Sequence, residues 1–459
     1  MFRRVLIANR GEIAVRIART CRELGIEVVA VCSTEDRASM ITTGADRIVR
    51  IGPGPARRSY LSIPAIIEAA RQSGADAIHP GYGFLSEDAD FAEVCERNGI
   101  VFVGPPAEAM ARLGDKIAAR RLMAMTGIPM LSGSADAVRS VEEAHEQARQ
   151  AGYPVIVKAS AGGGGRGMAV VPDATTLADA YQRTRATAQL LFGNPAVFIE
   201  RYLPNARHVE IQILVDSYGK AVHLGTRDCS VQRRQQKLIE EAPAPGLAPE
   251  LVERMGQAAV RGALAAGYVG AGTFEFLVTP DGDFFFMEVN CRIQVEHAVT
   301  EVVTGVDLIR QQFQIAAGEP LQLDEVGVSP NGVAIECRIN AEDPEREFAP
   351  SPGVLEEFVP SGGPFVRVDT HGYTGYRIPA IYDSLLAKLV VWAPDRELAL
   401  SRMDRALAEF RVAGRGVHTT IAFLREVMRD PVFGKAGHDT GIVERIIEAH
   451  SSAPGAARW

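Results

Sequence analysis

The chain has 459 residues, 47% hydrophobic and 23% charged, an ordinary globular composition with room for roughly three domains at about 150 residues each. Its formal net charge of −8 argues against generic binding to nucleic acid or an anionic membrane, while leaving room for a local basic pocket. No apolar stretch is long enough to span a bilayer, the amino-terminal apolar run is too short for a signal peptide, and the six cysteines form no CxxC pair. A cytoplasmic protein with neither a zinc site nor a disulfide framework is expected.

In chain order, residues 3–11 read as a buried strand ending in the turn Asn9-Arg10-Gly11, followed by a helix with Ile13, Ile17, Cys21 and Leu24 on one face. Residues 26–33 read as a second buried strand, which makes a βαβ unit and predicts a parallel sheet. The unit looks Rossmann-like, but its first turn lacks GxGxxG, so no dinucleotide is expected there. Helix, strand, glycine-rich loop (79–87), helix and strand follow, closing a first α/β domain near residue 115. A helix then starts near Asp115-Lys116 and runs through Met125. After a hinge-like stretch, residues 140–203 alternate helices and strands as a small α/β unit. From 208 the pattern is strand-rich, and from about 330 strands mix with the helix at 396–410. The tail SSAPGAARW looks disordered.

Only 6 of the 49 basic residues are lysine, namely 116, 158, 220, 237, 388 and 435. A lysine kept inside a polar motif of such a chain suggests that a compact point charge is wanted there. One such motif is Lys158-Ala-Ser-Ala-Gly-Gly-Gly-Gly-Arg-Gly-Met168, flanked by strands on both sides. It is neither a strand–helix turn nor a Walker A loop. Clustered glycines expose backbone N–H groups to a polyanion, so phosphate cover is one reading and a loose hairpin tip the other. Residues 272–292 read as a hairpin with a two-residue turn at Asp281-Gly282, which sets Glu275 opposite Glu288 and Thr273 opposite Asn290. Alternation then puts Glu275, Glu288 and Asn290 on one face and Phe274, Phe276, Met287 and Val289 on the other. Facing carboxylates repel, and a divalent cation with oxygen ligands relieves this, as would a solvated sheet face. Polar residues continue at period two through Arg292, Gln294 and Glu296, like the floor of a reaction site. His208, Glu210 and Gln212 share a face in 207–216. Lys237 lies within a charged run at 227–245. Arg338 shares a face with Glu336, where a structural ion pair is the default.

These stretches together resemble the biotin carboxylase family of ATP-grasp ligases. The resemblance runs through IANRGEIA (7–14), HPGYGFLSE (79–87), GDK (114–116), GGGGRGM (162–168), RHVEIQ (207–212), RDCSVQRR (227–234), EEAPAPG (240–246), RIQVEH (292–297), TGVDLI (304–309) and ECRINAEDP (336–344). It implies an α/β and α+β fold. A Rossmann-like N-terminal domain would span 1–115, an ATP-grasp domain 116–330 with a lid subdomain at about 132–203, a mixed C-terminal domain 331–447, and a flexible tail 448–459.

The resemblance implies that Lys116 and Lys158 bind ATP phosphates under a lid loop containing Gly164 and Gly165. Glu200, Arg201, Tyr202 and Leu203 would frame the adenine, and His208, Gln232 and Gln235 would adjoin the nucleotide. Glu275 and Glu288 would hold Mg²⁺ (or Mn²⁺), with Asn290 at a second metal position. Lys237, Arg292, Gln294 and the backbone of Val295 would hold bicarbonate, and Glu296 would act as base. Arg338 would steady the biotin enolate, with Tyr82 beside the biotin ring. Departures from the family pattern are Gln235 for a common histidine, Arg201 for lysine, Ala298 for proline and Ala161 for glycine. No AMKM-type attachment motif is present, so biotin is expected on a separate carrier protein, with carboxyltransferase subunits as further partners and a homodimer as the assembly. A different ATP-grasp ligase and a catalytically silent nucleotide-binding subunit are the competing readings.

Overall fold

The buried run Arg4–Ile7 is the middle strand of a five-stranded parallel sheet in a computed structural model, which describes residues 1–162, 166–324 and 328–452. Across the sheet the order is Arg47–Gly52, Glu27–Ser33, Arg4–Ile7, Ala77–His79 and Val101–Phe102, all parallel. The strand order reverses beside Arg4–Ile7, and in open α/β sheets ligand crevices form at the carboxyl ends of strands at such a point. There the Asn9 amide donates to the carbonyls of Pro80 and Tyr82, both at 2.7 Å, tying the first turn to the glycine-rich loop. Gly11 opens the helix Gly11–Glu23 at φ +69°, a conformation that disfavours side chains. Arg10 clamps Asp36 with bonds of 2.7 and 2.9 Å. The acid that might have met a ribose is therefore consumed internally, in keeping with the missing GxGxxG.

The largest sheet has eight antiparallel strands and runs across residue 330. Its order is Phe284–Asn290, Gly270–Val278, Arg207–Val215, Ala221–Arg233, Gln236–Ala242, Val333–Asn340, Leu385–Ala393 and Val366–Thr370. A smaller sheet pairs Val155–Ala159 antiparallel with both Met168–Val171 and Val197–Arg201, and the helices Val141–Ala151 and Leu177–Phe192 close a separate apolar core over it. The strand–loop–strand reading around the glycine run agrees with this pairing. Gly164 and Gly165 themselves lie outside the described residues.

Three local expectations need correction. Glu275 does face Glu288, and Thr273 does face Asn290, but Phe276 pairs with Phe286 and Val278 with Phe284. The turn is therefore longer than Asp281-Gly282. It is closed by Thr279 N–H to the Asp283 carbonyl at 2.9 Å, with Gly282 at φ +83°. A bulge at Met287 takes up the offset, and a bulged residue shares the face of the residue it opposes. Met287 accordingly lines the cavity described below instead of the apolar core that holds Phe274, Phe276 and Val289. The strand also ends at Asn290, so residues 291–296 are irregular and the helix His297–Thr304 follows. At the carboxyl end, the helix Ile442–Ser452 carries regular structure past residue 448. Residues 453–459, the rest of the expected tail, lie outside the described part.

Candidate active site

A cavity of about 960 Å³ opens between the three sheets. It is lined by Tyr82, Lys116, Lys158, Arg201, Tyr202, Leu203, His208, Gln232, Gln235, Lys237, Glu275, Glu288, Asn290, Arg292, Gln294, Val295, Glu296 and Arg338. Glu200 is not on its wall. The Glu200 carboxylate is buried beneath it, paired with Lys158 at 2.7 Å and with Arg120.

The central sheet sets the floor. Strand alternation aims Glu275, Glu210 and His208 to one side, because Glu210 lies across from Glu275 on the neighbouring strand. So many carboxylates at close quarters must be neutralised, and two lysines do so. Lys116 reaches Glu288 at 2.5 Å, and Lys237 reaches Glu296, Glu210 and Glu275 at 2.6, 2.8 and 3.1 Å. His208 adds a contact to Glu275 at 3.1 Å, and the Asn290 amide donates to Glu275 at 2.7 Å. Burial pushes the Glu275 carboxyl up, but Lys237 and His208 outweigh it and hold it well below the usual range. The donor set fits a hard divalent cation. Two carboxylates and a side-chain amide supply only oxygen ligands, and both carboxylates already face cationic ammonium groups.

Beyond Asn290, the irregular segment is fastened by side chains. Glu87 accepts from Cys291 N–H and from Arg292 Nε, both at 2.9 Å. Arg292 also reaches Gln294 at 2.7 Å. Glu296 is fully buried and accepts from Lys237 on one oxygen at 2.6 Å and from Arg338 on the other at 2.9 Å. Burial raises its carboxyl, yet Lys237, Arg338 and Arg227 hold it well below the ordinary value, so it is ionised and an acceptor. Arg338 donates its Nε to Glu240 at 2.6 Å. The expected pair with Glu336 is thus replaced by one with Glu240 and Glu296. Both Glu336 oxygens are buried without a hydrogen-bond partner.

On the opposite wall, burial and the neighbouring Lys116 pull the Lys158 ammonium down, while Glu200 at 2.7 Å opposes the fall. We give the direct ion pair more weight and treat Lys158 as a cation, because the contact is short and both groups are buried. Gln235 stands at a hairpin tip with Arg234, at φ +70° and +48°, left-handed positions on the cavity rim that neither side chain favours. The Tyr82 hydroxyl donates to Glu12.

Several of these residues carried too weak a signal in the sequence. Glu87 stood inside a quoted motif without a role, Glu240 looked like part of a solvated charge run, and Met287 looked like core. Glu12 carried no signal.

The family model described as biotin carboxylase, N-terminal domain, matches residues 1–110. Residues 115–324 match the carbamoyl-phosphate synthase L chain ATP binding domain, and 336–445 match the biotin carboxylase C-terminal domain. A biotin carboxylase of Nostoc sp. is 51% identical over 445 residues, covering 97% of this chain and 99% of that protein. The crystal structure of a biotin carboxylase–beta-gamma-ATP complex from Campylobacter jejuni aligns at a TM-score of 0.94 and 45% identity, covering 97% of this chain and 99% of that one. The biotin carboxylase domain dimer of the Hydrogenobacter thermophilus 2-oxoglutarate carboxylase, in complex with MgADP, ADP and bicarbonate, aligns at a TM-score of 0.94 and 44% identity with the same coverage. No helix among the described residues is long and apolar enough to cross a membrane.

Proposed function

The chain belongs to the biotin carboxylase family, an ATP-dependent carboxylating ligase built on an ATP-grasp domain, and from that premise we propose that it uses ATP and bicarbonate to carboxylate biotin carried on a separate protein. One observation carries this reading. Glu296 is a buried, ionised carboxylate gripped by Lys237 and Arg338, and it lines the same cavity as the facing pair Glu275 and Glu288. A cavity built only for nucleotide has no use for that second cluster.

In this reading Lys116 and Lys158 neutralise the phosphates, with Gly164 and Gly165 covering them, and Glu200 to Leu203, His208, Gln232 and Gln235 surround the nucleoside. Glu275, Glu288 and Asn290 would hold Mg²⁺, which when bound supplies charge neutralisation at the transferring phosphoryl group. Lys237, Arg292, Gln294 and the Val295 N–H seat bicarbonate beside Glu296. Bicarbonate then competes with Glu296 for the Lys237 ammonium, which loosens the grip on the base and lets it take the bicarbonate proton. Attack on the γ-phosphorus gives carboxyphosphate, which releases CO₂ and phosphate. Phosphate removes the biotin N1′ proton. Arg338 then holds the negative charge developing on the ureido oxygen, and Tyr82 flanks the ring. Water exclusion from the cavity protects the intermediate.

We further infer the domain division at 115, 330 and 447 given above, a cytoplasmic homodimer, a biotinyl carrier and carboxyltransferase subunits as partners, and acetyl-CoA as final acceptor. A similar dimeric domain from a 2-oxoglutarate carboxylase makes 2-oxo acids, pyruvate included, the acceptors to test against it.

The test is ADP release by purified protein with Mg²⁺ and bicarbonate, with and without free biotin, beside Glu296→Gln. Biotin-stimulated, bicarbonate-dependent turnover that falls by about 100- to 10,000-fold in the variant is expected. ATP binding without turnover under any of these conditions would instead mark a silent nucleotide-binding subunit.

A further inference from the structure

Among the buried cations that touch no expected substrate, Lys388 stands at a junction. It comes from the strand Leu385–Ala393, is 0% exposed and does not line the cavity. Its ammonium donates to the Val295 carbonyl at 2.7 Å and lies 3.3 Å from Glu12 Oε1, the oxygen that also accepts from the Tyr82 hydroxyl. Burying an ammonium is unfavourable unless each of its protons finds an acceptor. Glu12, the Val295 carbonyl and Asp369 at 4.0 Å supply that surrounding.

Val295 sits in the irregular stretch that follows the end of the strand at Asn290, so no sheet ladder fixes its backbone. Side chains do so instead. Glu87 holds the Cys291 N–H, His297 Nδ1 lies 2.7 Å from the Gln294 carbonyl, and Lys388 holds the carbonyl of the peptide joining Val295 to Glu296. That peptide orients the Val295 N–H on one side and the Glu296 side chain on the other. Through Glu12, which opens the first helix, the same ammonium also fixes the hydroxyl of Tyr82.

We propose that Lys388 is a positioning residue that ties the bicarbonate seat at Val295–Glu296 to the biotin wall at Tyr82, so that the two substrates are held in register by one buried charge. This rests on the reading of the site given above. A point charge on a flexible stem meets acceptors from two directions here, which a planar guanidinium does not do as well, and a lysine is kept in a chain that otherwise uses arginine.

The experiment compares wild type, Lys388→Met and Glu12→Gln in steady-state turnover and thermal melts. In Lys388→Met the KM values for bicarbonate and for free biotin should rise together by about tenfold or more, with the KM for ATP within about twofold of wild type. Glu12→Gln keeps the volume and leaves the Lys388–Val295 bond in place, so it should raise the KM for biotin alone. That variant decides the matter by itself if Lys388→Met does not fold. Unchanged KM values in both variants, or an ATP KM rising in step with the other two, would overturn the proposal and leave Lys388 a structural residue. Wild-type protein showing neither bicarbonate-dependent turnover nor a bicarbonate-induced shift in Tm would overturn the reading of the site, and this inference with it. Wild-type turnover with unaltered variants sinks this inference alone.

Discussion

Arg338 stands between two carboxyls that its surroundings drive in opposite directions. Glu296 faces Lys237 and Arg227 as well as Arg338, and these hold it well below the ordinary carboxylate value despite burial. Glu240 is raised by burial to about 7, with Arg338 opposing the rise and Glu296 adding to it. Its sheet neighbour Glu336, directly across the ladder, is pushed up by burial too and has no hydrogen-bond partner on either oxygen. The consequence for stability has a definite sign. A carboxyl whose folded value lies above its unfolded one keeps its proton longer in the folded state, so its contribution is full below the unfolded value and lost as pH rises toward 7. In Glu240→Gln that loss disappears. The Tm difference between variant and wild type should therefore move in the variant's favour from about pH 5 to about pH 8 in parallel melts, while groups such as Glu296, which act in the opposite sense, cancel in the difference. A difference that stays constant across this range would mean that Glu240 is ionised throughout.

At the scale of the element, the hairpin shows how a correct pairing can follow from an incomplete premise. Reading Asp281-Gly282 as a two-residue turn put Glu275 opposite Glu288, and the two do pair. The real turn shifts the register by one, and the bulge at Met287 shifts it back. Nothing in the residue pattern betrays that bulge, because Met287 is apolar and falls where alternation asks for an apolar residue. The same blindness extended the strand past Asn290, since Arg292, Gln294 and Glu296 keep a period of two without any ladder. Residue type was legible there, and the long-range hooks from Glu87 and Lys388 that shape the segment were not. The bulge has a functional consequence. It turns Met287 into the cavity beside Leu277 and Ile156, an apolar patch suited to the flat face of a base. Met287→Ala should weaken ATP binding by about fivefold to tenfold, equivalent to roughly 1 kcal/mol of lost apolar contact, with kcat nearly unchanged. An unchanged affinity in equilibrium titration would return Met287 to a packing role.

Over the whole molecule, the chemistry depends on pieces that are far apart in the sequence. Gln236–Ala242 pairs with Val333–Asn340, and that pairing brings Arg338 beside Glu240 and Glu296. Local periodicity identified both strands, but their partnership is a tertiary matter that no window of sequence contains, so the division near residue 330 gave no hint that one sheet crosses it. The expected nucleotide contacts are split in a similar way. Lys158 and Arg201 to Leu203 lie on or beside the smaller sheet, whose apolar core is its own, whereas His208, Glu275 and Glu288 belong to the eight-stranded sheet. A nucleotide with its metal bridges the two, and by mass action a ligand stabilises the arrangement that binds it. Hydrogen exchange should register this selectively. With MgATP at about 100 times its Kd, opening of the smaller unit becomes less favourable by about 2.7 kcal/mol, so amides in Val155–Ala159 and Val197–Arg201 should exchange up to about 100-fold more slowly. Amides of Glu27–Ser33, in a sheet that supplies none of those contacts, should change little. ATP without Mg²⁺ should protect far less, because Glu275 and Glu288 then keep their lysines and no cation links them to the phosphates. Equal slowing in all three strands would instead mean that the smaller sheet opens only with the whole molecule, and the bridging role of the nucleotide would have to be given up.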